Sequence, residues 1–264
     1  MQSLRGRSGK ERQYIDRPMS SSAIRLPAHR RLAQGARRWL GALPSQCAVC
    51  HGWPAHPLCG DCVARFAQPV ARCWTCALRV PPDVTQCGEC LRHPPVLDAC
   101  LAACDYDWPW AECITRFKFE EQPGWAAPLA LLMRSMPGAE PALEDADLVL
   151  PMPLFASRLR KRGFNQALEL ARRLAPRQCD AGLLLRMRDT PAQSGLNRSQ
   201  RLHNLRGAFA LDPLRAAEAR GARMVLVDDV MTTGASLTLA AQVLREAGAA
   251  HITALVLART APSG

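Results

Sequence analysis

The chain of 264 residues carries a formal charge of +11, is 48% hydrophobic and 22% charged, and holds only 5% aromatic residues. That length accommodates one domain of ordinary size plus a small module, and the composition is that of a globular protein with an aliphatic core. No apolar run approaches the roughly 18–20 residues that cross a bilayer. The charged N-terminus also lacks an apolar stretch before a cleavage site, so the expectation is a cytoplasmic protein that is not an integral membrane protein.

Most of the charge sits in one place. Residues 1–40 hold ten Lys and Arg against Glu11 and Asp16, a balance of +8 that leaves +3 for residues 41–264. A basic arm binds phosphate backbones by counterion release, but a solvated extension has the same composition, and charge alone does not choose between them. Residues 1–28 lack apolar periodicity and are expected to be disordered. Over 29–43 the residues Leu32, Ala36, Trp39, Leu40 and Leu43 recur at helical spacing and predict a short surface helix.

Residues 44–93 differ in texture: rich in Cys, Gly and Pro, they show no sustained period. Four Cys-x-x-Cys pairs follow one another at short gaps: Cys47/Cys50, Cys59/Cys62, Cys73/Cys76 and Cys87/Cys90. So small a segment buries too little apolar surface to fold unaided. Each pair can present two thiolates to a tetrahedral Zn²⁺ from a tight turn, so eight cysteines make two closed structural sites whose coordination supplies the missing folding free energy. An even cysteine count also permits a disulfide framework, which the cytoplasmic expectation disfavours. His51, His56 and His93 are not needed as ligands, and Cys100, Cys104, Cys113 and Cys179 read as small core residues. Spacing leaves open whether the pairs combine sequentially or interleave.

From 94 to 264 the pattern alternates. Strands are predicted at 96–104, 147–150, 183–186, 223–227 and 251–258, and helices at 109–119, 124–136, 164–175 and 236–247. Apolar strands alternating with helices predict an α/β domain with a parallel sheet flanked by helices on both faces.

Within it, residues 224–236 read MVLVDDVMTTGAS: a buried strand, the acids Asp228 and Asp229, then Thr232-Thr233-Gly234-Ala235-Ser236 opening a helix. A loop at a helix N-terminus aims backbone N–H groups and the positive end of the helix dipole at an anion. Gly234 permits close backbone approach, and the Thr and Ser hydroxyls add donors. The carboxylates of Asp228 and Asp229 can accept bonds from vicinal ribose hydroxyls and stabilise a sugar carbon that turns cationic as its leaving group departs. This is the chemistry of a ribose-phosphate site.

The loop resembles the signature of type I phosphoribosyltransferases. Two further segments, RGFNQ within 149–166 and QSGLNRSQRLHNLRGAF within 186–209, together with the cysteine module, resemble the ComF (competence protein F) family over about 44–260. The resemblance implies a type I phosphoribosyltransferase fold behind an N-terminal double zinc ribbon, with 1–43 as a basic tail. It implies that phosphoribosyl pyrophosphate or a related nucleotide is bound with Mg²⁺. Arg158, Arg160, Lys161 and Arg162 would face the pyrophosphate, unless they form a solvated charge run. The Arg-rich stretch 186–206, with Arg198, matches the loop that closes over substrate in such folds. Partners implied are single-stranded DNA and the DNA-uptake machinery, although no aromatic-stacking pattern accompanies the basic residues. Three functions compete: phosphoribosyl transfer to an unnamed acceptor, non-catalytic binding of the nucleotide and DNA, and a purely structural zinc protein.

Overall fold

The structure is a computed structural model that describes residues 45–53, 55–120, 122–188 and 207–261. All of these belong to one compact unit, Pro44–Gly264. The basic tail with its helix over 29–43, and most of the Arg-rich stretch including Arg198, lie outside the described residues.

Two short helices, α1 (Gly60–Phe66) and α2 (Gly88–Arg92), belong to the cysteine module. There follow β1 (Ala99–Asp105), α3 (Trp110–Phe119), α4 (Ala126–Arg134), α5 (Ala139–Glu144), β2 (Leu148–Pro151), α6 (Ala156–Arg162), α7 (Gln166–Leu174), β3 (Leu184–Arg186), β4 (Phe209–Leu211), β5 (Arg223–Met231), α8 (Ala235–Glu246) and β6 (His251–Arg259). The main sheet runs β1-β6-β5-β2 with every pair parallel, and β3 and β4 form a separate antiparallel pair.

Both faces of the sheet are buried, as apolar parallel strands require. Val225 and Val227 of β5 pack with Ile114, Phe117, Leu129 and Leu170 from α3, α4 and α7. The alternate residues Met224 and Leu226 pack with Leu237, Ala240, Ala241 and Leu244 of α8. Each of the larger side chains among these, Val, Leu, Ile, Phe or Met, contributes about 1.5–3 kcal/mol by leaving water.

Several elements depart from expectation. Strand β5 does not stop at Val227 but continues to Met231, because β6 pairs with it along the whole length (Asp228↔Val256, Val230↔Ala258, Met231↔Arg259). The two acids therefore ride on the tip of a strand rather than in a loop. Helix α7 begins at Gln166, not 164, because the Asn165 side chain accepts from the N–H groups of Ala167 (3.0 Å) and Leu168 (3.4 Å). Helices α5 and α6 and strand β4 were not anticipated, since each is too short to establish a period.

The cysteine module repeats one layout twice. In each half a Cys-x-x-Cys turn is closed by a bridge, Ser45↔Ala55 or Arg72↔Arg79, and the second pair leads into a short helix, α1 after Cys59 and α2 after Cys87. The residue following the first pair is left-handed in both halves, His51 at φ 58° and Ala77 at φ 56°. The halves dock at different places. Phe66 of the first accepts from Trp110 Nε1 on α3 at 2.8 Å. Trp74 of the second accepts from the Cys100 N–H of edge strand β1 at 2.7 Å, and Arg72 pairs with Asp105 at 2.9 Å.

Candidate ribose-phosphate site and metal centres

Parallel pairing puts the carboxyl ends of all four sheet strands on one side, where ligands of such sheets bind. Pro151 at the end of β2 lies opposite Val227, and the Met152 N–H donates to the Val227 carbonyl at 2.9 Å. The chain leaving β2 toward α6 and the chain leaving β5 toward α8 thus emerge side by side.

Between β5 and α8 only Thr232, Thr233 and Gly234 turn the chain. Gly234 caps α8 in the left-handed region at φ 77° with no side-chain cap bond, so the first N–H groups of the helix lack an intrahelical partner and face outward. A Cβ at Gly234 would sit 2.4 Å from Met231 Cε, so the turn admits only glycine without displacing that side chain. A pocket of about 50 Å³ opens here, lined by Asp228, Val230 and the run Thr232 to Leu237. Every loop residue singled out from the sequence, Thr232, Thr233, Gly234, Ala235 and Ser236, lines it together with the first acid.

The second acid behaves differently. Successive strand residues point to opposite faces, and Asp229, 7% exposed, pairs with Lys118 at the end of α3 at 2.9 Å. Asp228 accepts from the Asp229 N–H at 2.9 Å. Burial and then the neighbouring Asp229 charge push the Asp228 carboxyl up to about 7. Lys118 went unnoticed in the sequence. Its signal was its place on the apolar stripe of α3, one turn beyond Ile114, in a chain whose cations are otherwise nearly all Arg.

The basic cluster forms α6, with Arg160 and Lys161 exposed and Arg158 and Arg162 half-buried, one turn apart. Arg162 stacks over Phe119 at 5.4 Å and donates to Gln166 Oε1 at 3.1 Å. Since Phe119 follows Lys118, this end of α6 adjoins the Lys118–Asp229 pair. A larger cleft of about 370 Å³ lies along β1 between Val70, Trp74 and Met136, but Arg72 is its one charged side chain and is already paired with Asp105.

The cysteines divide into two sets, Cys47, Cys50, Cys59 and Cys62, and Cys73, Cys76, Cys87 and Cys90, each with its sulfurs within 4.8 Å of one another. The pairs therefore combine sequentially. Close approaches are 3.8 Å for Cys47–Cys62 and 3.7 Å for both Cys50–Cys59 and Cys76–Cys87. A disulfide needs about 2.05 Å, whereas sulfurs bound about 2.3 Å from a tetrahedral zinc stand roughly 3.8 Å apart. Both sets fit Zn²⁺, and with four sulfurs each they leave no open position. Cys100, Cys104 and Cys113 are buried in the core.

Residues 159–263 match the phosphoribosyl transferase domain. The chain is 33% identical over 209 residues to the DNA utilization protein YhgH of Salmonella typhimurium, covering 77% of this chain and 90% of that protein. It is 32% identical over 209 residues to competence protein F of Haemophilus influenzae, covering 76% and 90% respectively. A shorter match of 108 residues, 32% identical and covering 41% of this chain and 46% of the relative, joins it to competence protein ComFC of Streptococcus pneumoniae.

Two outcomes follow. Metal analysis of the purified protein should return two zinc equivalents per chain, one for each cysteine set; a mass lowered by disulfide formation would contradict this. The folded state also retains the Asp228 proton well above the ordinary carboxylate value of 3.8, so stability falls as pH rises from about 4 to about 7. Asp228→Asn should raise the melting temperature by roughly 2–8 °C at pH 8, with the gain shrinking toward pH 4; a pH-independent effect would refute the assignment.

Proposed function

This chain belongs to the competence protein F (ComF) family, and from that membership we propose that the β5–α8 loop binds phosphoribosyl pyrophosphate or a related nucleotide. The observation that carries this reading is the uncapped N-terminus of α8, with Asp228 in the same small pocket. The 5-phosphate would accept from the amides at Gly234–Leu237 and from the Thr232, Thr233 and Ser236 hydroxyls. Asp228 would take the ribose hydroxyls, with Asp229 held beside it by Lys118. Arg158, Arg160, Lys161 and Arg162 would face the pyrophosphate, whose several charges call for guanidinium donors and an accompanying Mg²⁺. Arg198 would close over the ligand from the Arg-rich stretch.

Transfer, on this reading, breaks the bond from the anomeric carbon to pyrophosphate, whose oxygen keeps the electron pair. An acceptor lone pair then forms the new bond at that carbon and the acceptor loses a proton. The carboxylates stabilise the intervening positive charge. The names of the relatives, competence protein and DNA utilization protein, support a role connected with DNA; on our reading that role is the handling of transforming single-stranded DNA in the cytoplasm, with the basic tail and the arginines contacting phosphates. They equally support a non-catalytic module that binds nucleotide and DNA beside its uptake partners.

Calorimetry with phosphoribosyl pyrophosphate and Mg²⁺ should show one site per chain. Asp228→Asn with Asp229→Asn should weaken it by about ten- to a hundred-fold, the worth of lost charge-assisted bonds, with zinc content unchanged. Unaltered affinity in that variant, or no binding by the wild type, would refute the reading. Pyrophosphate release in the presence of bases, amines or nucleic acid separates the enzyme from the binding module.

A further inference from the structure

Arg259, the last residue of β6, is only 6% exposed. Buried arginines are ordinarily matched by a carboxylate, but among the described residues Arg259 has carbonyl partners instead. Its Nε donates to the Cys76 carbonyl at 2.9 Å. Its Nη1 donates to the carbonyls of Met231 at 3.0 Å, Thr260 at 2.8 Å and Thr232. One guanidinium thus joins the backbone of a cysteine in the second set to the first turn of the phosphate loop.

We infer that Arg259 is a positioning residue that makes the order of the phosphate loop depend on the metal of the second cysteine set and not of the first. A trans peptide points its C=O and the following N–H in opposite directions. Holding the Met231 and Thr232 carbonyls toward Arg259 therefore turns the N–H groups of Thr232 and Thr233 away from it, and both residues line the pocket. The anchor at the other end is Cys76, whose sulfur would be a ligand of the second metal and whose successor Ala77 holds a left-handed conformation at φ 56°. The Ala77 N–H donates to the Cys73 carbonyl at 2.8 Å and the Arg72↔Arg79 bridge closes the turn, but without the metal its sulfurs lose their tether, the turn loosens, and the carbonyl that fixes Nε is held less firmly. Among the described residues the first set has no hydrogen bond to this loop; its half docks on α3, where the Trp110 Nε1 donates to the Phe66 carbonyl.

The consequence for ligand affinity rests on the reading that the loop binds a ribose phosphate; the coupling itself does not. Hydrogen exchange of the full-length protein, followed on the peptide spanning 231–241, where the Thr238 N–H donates to the Gly234 carbonyl at 2.8 Å, and on the β5 core at 224–227, tests it directly. With Arg259 in place, removal of zinc from the second set by Cys90→Ser should speed loop exchange about ten-fold while leaving 224–227 protected. Cys62→Ser, which empties the first set, should leave the loop unchanged. In Arg259→Met the loop should already exchange fast and gain nothing further when Cys90→Ser is added. Arg259→Lys, which keeps the charge but cannot span both anchors, should fall between and serves if the methionine variant fails to fold. Equal loop exchange in the two cysteine variants, or an undiminished response to Cys90→Ser without Arg259, would overturn the inference. Failure of wild type to bind phosphoribosyl pyrophosphate would refute the ligand assignment while the exchange data still decide the coupling.

Discussion

Strand β5 is hydrogen-bonded on both sides by parallel neighbours, and much of the molecule follows from that. Its nine residues are committed to the sheet from Arg223 to Met231, so the chain has three residues in which to reverse into α8. The reversal needs a left-handed residue, which Gly234 supplies, and it leaves the first amides of α8 facing outward. The same pairing extends the strand through Asp228 and Asp229 and so turns adjacent carboxylates to opposite faces. One enters the pocket and the other meets Lys118. The different surroundings of two neighbouring acids are thus a product of strand geometry.

Features whose chemistry is local were legible in the sequence. The Thr-Thr-Gly-Ala-Ser turn, the cysteine pairs and the strong period of α7 each declare themselves within a dozen residues. What escaped depended on partners far along the chain. Lys118 meets Asp229 only because α3 packs across the end of β5, and Arg259 reaches both the β5–α8 loop and Cys76 only because β6 ends beside them. The strand boundary at Val227 was misplaced because two acids resemble a loop, whereas pairing with β6 keeps them in register. Sequential metal sets could not be read from similar spacings; the return of each half-module on itself decides them.

Charge, the most conspicuous bulk property, says least about the site. Most of it lies in residues 1–40, while the pocket depends on backbone amides, one glycine and a few side chains placed by strand ends. The cysteine module, by contrast, is more than a stapled appendage. Its second half completes the edge of β1 through Trp74 and reaches the loop through Arg259. Among the described residues no helix is long and apolar enough to cross a membrane.

The central claim is that the β5–α8 turn holds a ribose phosphate. A crystal structure of the protein soaked with ribose 5-phosphate tests it most directly. The account predicts the phosphate against the amides of Gly234 to Leu237, with the sugar hydroxyls toward Asp228. A phosphate bound instead on the exposed Arg160 and Lys161 of α6, with the turn empty, would contradict it.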